Sequence, residues 1–200
     1  MNSYWETCVA LARDTLRDPR QAARQVLALD LPREVVWSLL GLVAVGSLAA
    51  TLIGDRMLPQ GTMAMMPFLT RAPILGALFL AAAMVILSAV LSRLGQLFGG
   101  AGTFDQALRL IVWSQILMLA LQLLQTVFIP ISPTISALIG LVGFVWFIWL
   151  AAAFTAELHA FDGAGKGLVV AVLSVFVTAF ALMILMVMLG IKPMVEAANV

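Results

Sequence analysis

The sequence predicts an all-α integral membrane bundle of five transmembrane helices, preceded by an amphipathic helical segment. Three observations carry that expectation. The 200 residues are 63% hydrophobic and only 10% charged, against about 25% charged in ordinary soluble domains. Mean hydropathy is +1.09. From Leu110 to Ala156 there is no charged side chain at all, a length that crosses a bilayer twice at about 20 residues and 1.5 Å of rise per residue for each crossing.

Residues 1–34 read as a helical, interfacial segment. Arg alternates with Asp and Glu, and there is no apolar core of a signal peptide, so the first span is expected to serve as an uncleaved insertion signal. Ser3-Tyr4-Trp5-Glu6 has the spacing of a capping box. Trp5, Cys8, Ala12 and Leu16 then fall on one helical face, opposite Arg13, Asp14 and Arg17. Asp18-Pro19 closes this helix and opens the next, with Asp18 as cap and Pro19 at the first helical position. Ala22, Ala23, Val26 and Leu27 form the stripe of that second helix, and Pro32 restarts the chain before the first span. Such a pair of helices can lie on headgroups or fold under the bundle.

The spans follow as residues 35–53, 73–91, 110–128, 134–154 and 167–190. Gly54-Asp55-Arg56 closes the first. Arg93 with Gly99-Gly100-Ala101-Gly102 closes the second. Ile129-Pro130-Ile131-Ser132-Pro133 separates the third from the fourth. Glu157-Leu158-His159-Ala160-Phe161-Asp162-Gly163 closes the fourth, and Asn199 and Val200 end the tail. Gly41, Gly46, Ala81 to Ala83, Gly140, Gly143 and Ala151 to Ala153 let helices approach closely. Trp146 and Trp149 fall inside the fourth span, where packing between helices is expected.

Composition excludes several functions. The net charge of +1 gives no basic field for nucleic acid. No span carries Asp, Glu, Lys, Arg or His near its middle, the residues that mark proton relays and ion paths in lipid. Metal-ligand pairs, phosphate-binding Gly loops and Ser/His/Asp sets are missing, and the single Cys8 forms no internal disulfide. No inverted repeat of the transporter type is visible. The expectation is a protein that is not an enzyme and needs no cofactor or metal, working through the lipid bilayer, other membrane proteins or self-association.

Three features remain as candidates for chemistry. Gln115, Gln122 and Gln125 fall within roughly 80° of one another around the third span, bordered by Ser114 and Thr126. Interhelical hydrogen bonding explains them simply; a cavity lining for a polar or amphiphilic ligand is the functional alternative. Glu157, His159 and Asp162 could supply ligands or an acid–base group, but polarity at a span end explains them as well. Met57, Met63, Met65 and Met66 offer soft thioethers that would suit Cu(I), although Met also serves as adaptable apolar filler.

Gly102-Thr103-Phe104-Asp105-Gln106-Ala107-Leu108-Arg109, followed by Val112-Trp113-Ser114, resembles the aromatic-x-x-Ala-Leu pattern and aromatic-Ser pair of the Yip family, the Ypt/Rab-interacting membrane proteins. Trp146 through Phe161, ending in Glu157-Leu158-His159-Ala160-Phe161, is a second and looser likeness. Gln115 and Ile116 stand where the family often has a proline, and the Asp-Leu-Tyr-Gly-Pro type of motif of eukaryotic members is absent, so Rab binding carries over to no residue. The resemblance implies a cytoplasmic N-terminal segment, five short spans and a scaffold or adaptor role. A carrier or exporter of small neutral or amphiphilic molecules is the alternative. Few Lys and many Ala point to a bacterial inner membrane.

Orientation follows the Lys/Arg balance. Arg13, Arg17, Arg20, Arg24, Arg33, Arg93, Arg109 and Lys166 fall on one side, eight in all, against Arg56, Arg71 and Lys192 on the other. The larger set belongs in the cytoplasm, which leaves the C-terminus outside. A reporter active only outside the cytoplasm is expected to work after Val200 and to fail within Ala160–Gly165; the reverse pattern would invert the topology.

Overall fold

The structure is a computed structural model that describes residues 2–57 and 72–188, with backbone alone for residues 2–5. Met63, Met65, Met66, Arg71 and Lys192 lie outside the described residues. Among the described residues there are seven helices and no strand: α1 (Asn2–Arg17), α2 (Pro19–Ala28), α3 (Arg33–Met57), α4 (Pro73–Leu97), α5 (Phe104–Phe128), α6 (Pro133–Leu158) and α7 (Ala164–Met188). The last five are each long and apolar enough to cross a membrane. Their most apolar windows are only 22–33% buried. Large apolar side chains such as Leu141, Phe144, Phe176 and Phe180 therefore point outward, as a lipid-facing surface requires.

Helix ends are set by local chemistry. Asp18 caps α2, accepting from the Arg20 and Gln21 N–H groups at 3.0 and 3.1 Å, and Pro19 takes the first helical position. Thr103 and Gln106 form a capping box at the start of α5, which lengthens that helix six residues beyond the expected Leu110 start. Ser132 and Pro133 open α6. α1 already includes Ser3, so the expected capping box does not mark its start. Inside the spans, Ser88, Ser114 and Ser174 donate their hydroxyl protons to the carbonyls of Met84, Leu110 and Val170 at 2.7 to 2.8 Å. Each polar group is thus satisfied within its own helix, as lipid demands.

α5 lies at the centre, packed on α3, α4 and α6. α4, α5, α6 and α7 also close a ring, because α7 packs back on α4. Small residues set the close contacts. Gly46 faces Leu119, Gly143 faces Leu121 and Gly140 faces Gln125. Gly167 lies against the α6 backbone at Ala152 and Ala156. Trp146 packs against the core, whereas Trp149 is 46% exposed on the outer surface; only one of the two indoles is held between helices.

The N-terminal helices fold under the bundle. Ala22, Ala23 and Val26 of α2 are buried, and α2 packs on α5 and α6. On α1 the buried positions are Leu11 and Thr15, while Cys8 and Leu16 of the expected stripe are exposed. The inward face of α1 is therefore rotated from the one its apolar spacing suggests, because it is chosen by a hydrogen bond described below.

A methyl group at Gly167 would lie 2.8 Å from the Ala156 nitrogen and closer still to the Ala152 carbonyl oxygen. Backbone cannot yield as a side-chain tip can, so Gly167→Ala is expected to destabilise the protein by about 1–3 kcal/mol, read by thermal unfolding in detergent. Gly165→Ala, with open space around it, is expected to be neutral or slightly stabilising.

Candidate functional site

Among the described residues most of the charged side chains gather at one end of the bundle, termed the base, where α1, α2, the α4–α5 loop and the α6–α7 loop meet. Two helices end there in the same way. Gly99, at φ +82°, follows α4, with Gly99 N–H donating to the Gln96 carbonyl and Gly100 N–H to the Gly95 carbonyl at 2.9 and 2.8 Å. Ala160, at φ +53°, follows α6, with Ala160 N–H donating to Glu157 and Phe161 N–H to Ala156 at 3.2 and 2.8 Å. Both are Schellman motifs, which satisfy carbonyls that a helix end leaves free.

His159 joins the two. The residue is 2% exposed. The Gly102 N–H donates to its Nδ1 at 3.1 Å, and its Nε2 lies 3.2 Å from the Leu91 carbonyl oxygen. A backbone N–H can only donate and a carbonyl can only accept. Nδ1 must therefore hold the lone pair and Nε2 the proton, which fixes a neutral imidazole in one tautomer. Gly95, Gly100 and Gly102 form the socket, since a Cβ on any of them would run into the ring. Phe161 stacks on the imidazole at 5.3 Å between centroids, and the Lys166 Nζ sits 4.4 Å above the Phe161 ring.

The N-terminal helices dock on the same base. Arg109 donates to the carbonyls of Leu29 and Leu31 at 3.1 and 3.4 Å, just beyond the end of α2. The Trp113 indole N–H donates to the Thr15 hydroxyl at 3.1 Å, and that hydroxyl donates to the Leu11 carbonyl at 2.7 Å. This pair selects the inward face of α1. Gln25 of α2 donates to Asp14 of α1 at 3.1 Å. Arg24 pairs with Glu157 at 3.1 Å and Arg33 with Asp105 at 3.5 Å. Both pairs are substantially exposed and contribute less than about 1 kcal/mol each; the buried contacts hold the helices.

The residues singled out in the sequence separate in space. Glu157 reaches α2, His159 turns inward and Asp162 is exposed. Among the described residues no group of three His, Cys, Asp or Glu is placed to hold a metal. Gln122 donates to the Thr51 hydroxyl at 2.9 Å and the Ser47 carbonyl at 3.4 Å, bridging α5 to α3. Gln125 lies against Gly140 of α6, and its backbone carbonyl accepts from the Ser136 hydroxyl at 3.1 Å. Gln115 borders a different space, between α4, α5, α6 and α7. What spacing alone missed is the socket of His159. Its glycines read as a loop, and no periodicity links them to a histidine beyond another span.

The two stretches of familiar pattern, residues 102–114 and 146–161, therefore meet at the base through Gly102 and His159. The family model described as the Yip1 domain matches residues 13–186. The chain belongs to the Yip1 domain family. Searches of curated proteins and of solved structures return no match. The matched region of this Yip1 domain begins within α1 and takes in α2 and the five apolar helices. The base is thus part of the domain and not an appendage to it.

Burial holds the His159 pKa below its ordinary value of 6.5, and the hydrogen bond to Leu91 opposes that only in part. The unfolded chain takes up the proton at higher pH than the folded Yip1 domain does. Stability is then complete above about pH 6.5 and falls as the pH drops below it, until the folded state is protonated too. Protonation also sets an Nδ1–H against the Gly102 N–H. Unfolding in detergent is expected to become easier from pH 7.5 to 5. His159→Gln is expected to cost about 1–3 kcal/mol at pH 7.5 and to flatten that slope. An unchanged slope would assign the titration to another group.

Proposed function

We propose that the protein is a non-enzymatic membrane scaffold or adaptor that organises membrane proteins or lipids, set in a bacterial inner membrane with the base in the cytoplasm. One observation carries this reading. The residues of the two family-like stretches are spent on architecture: Ala107 and Leu108 are buried, Arg109 and Trp113 dock the N-terminal helices, and His159 is locked between backbone groups. A histidine with both ring nitrogens committed to backbone is a poor metal ligand and a poor proton shuttle. What results is a rigid base on a bundle with apolar outer faces, suited to contacts with neighbouring helices through packing and small residues. The eight Lys/Arg of the more basic side lie on the elements that meet at the base, which supports a cytoplasmic placement. A carrier working through Gln115, Gln122 and Gln125 has less support, because the three serve different neighbours.

The test is gentle extraction from the native membrane with quantification of co-purifying proteins and lipids. The scaffold reading expects a protein partner at fixed molar ratio. It also expects that partner to be lost in the Arg109→Ala/Trp113→Ala variant, in which α1 and α2 undock while the five apolar helices remain folded. Absence of any fixed-ratio protein, with one enriched non-lipid metabolite in its place, would overturn it in favour of the carrier.

A further inference from the structure

The ring of α4, α5, α6 and α7 borders a partly open pocket of about 80 Å³. Its walls include Leu91, Ile111, Phe147 and Val175, and its polar groups come from Ser114, Gln115 and Thr155. We propose that this pocket binds the first methylenes of the acyl chain of a leaflet lipid, with the Gln115 amide hydrogen-bonding the carbonyl at the head of the chain. The site is independent of a scaffold role.

The volume exceeds what a single water needs, about 10–15 Å³, yet a mostly apolar lining keeps such spaces dry. It is also well below the cavity of roughly 150 Å³ that accepts a benzene ring. It takes only a short stretch of hydrocarbon, with the rest of the chain running out through the open side into the bilayer. The polar lining selects a functional group. Ser114 already donates to Leu110 at 2.8 Å. Gln122 is bonded to α3, whereas the Gln115 side chain has no hydrogen bond among the described residues. An amide at this depth gains most from a partner that enters with the ligand, since an unpaired one costs free energy in hydrocarbon. Position names the source. Gln115 lies six residues beyond Arg109, about 9 Å along α5, within the outer part of a leaflet. Leu91 lines the cavity, and its carbonyl is held by His159, so the latch at the base lies directly beneath. A lipid of the surrounding leaflet already presents its chain at this level.

The experiment uses full-length protein in phosphatidylethanolamine/phosphatidylglycerol nanodiscs containing phosphatidylethanolamine with a diazirine on its acyl chain, together with an alkyl diazirine lacking any carbonyl. Photolabelled residues are mapped by peptide sequencing. Labels are expected on inward residues of α5 and α7. Ala171→Leu, which fills the space from α7, is expected to lower inward labelling about tenfold, the worth of roughly two buried methylenes. Ala151→Leu fills it from α6 and serves if the first variant does not fold. Gln115→Leu is expected to retain alkyl labelling and to abolish the preference for the acyl probe. Labels confined to outward residues such as Phe176 and Phe180, or inward labelling that survives both fillings, would overturn the site. Equal acyl and alkyl labelling in the wild type would overturn the role of Gln115.

Discussion

A neutral imidazole between a backbone N–H and a backbone carbonyl fixes the base of this bundle. At the end of a membrane span the chain must satisfy the polar groups of its helix termini without a free supply of water. His159 meets that constraint twice over, accepting from Gly102 and donating toward Leu91. The geometry demands three neighbouring glycines, because any side chain at Gly95, Gly100 or Gly102 would occupy the ring's space. It also demands sharp turns after α4 and α6, which the Schellman motifs at Gly99 and Ala160 supply. Ala160 accepts a left-handed conformation that costs an alanine roughly 1–2 kcal/mol; placing the imidazole in its socket offsets that cost. The α4–α5 loop, the end of α6 and the start of α7 are thereby set as one unit.

The docking of α1 and α2 depends on this unit. Arg109 can reach the carbonyls beyond α2 only because the capping box at Thr103 starts α5 early, at the level of the glycine loop. Trp113, one turn further in, then meets Thr15. Ion pairs at the rim add little by comparison, so the order of importance runs from buried hydrogen bonds and packing outward to surface charge.

Much of the architecture was legible from the residues. Length and hydropathy define five apolar helices, and Pro and Asx/Ser chemistry marks the breaks at Asp18-Pro19 and Ser132-Pro133, because both signals are local. Whether the N-terminal helices lie on lipid or fold under the bundle was not legible, since Ala22, Ala23 and Val26 would suit either surface. Nor was the inward face of α1: apolar spacing favours Cys8, Ala12 and Leu16, but a hydrogen bond from Trp113, nearly a hundred residues away, turns Leu11 and Thr15 inward. The glutamines show the same limit. Their angular proximity on one helix is real, yet α3, α6 and the central cavity each take one of them. Helical periodicity gives a direction around an axis and does not name the neighbour found there.

These relations bear on what family membership means for this chain. In many domains the stretches that carry a family likeness hold ligand or reactive groups. Here they build the junction between a helical hairpin and a bundle of apolar helices. A domain whose distinctive residues are committed to a fixed base presents to its surroundings chiefly its outer helix faces and the exposed side of α1 and α2. Any partner would meet those surfaces, where Phe176, Phe180, Leu16 and Val9 stand exposed. The base sets how the surfaces are held relative to one another, and the surfaces set what they touch. The residues that carry the family likeness in this chain are thus structural ones.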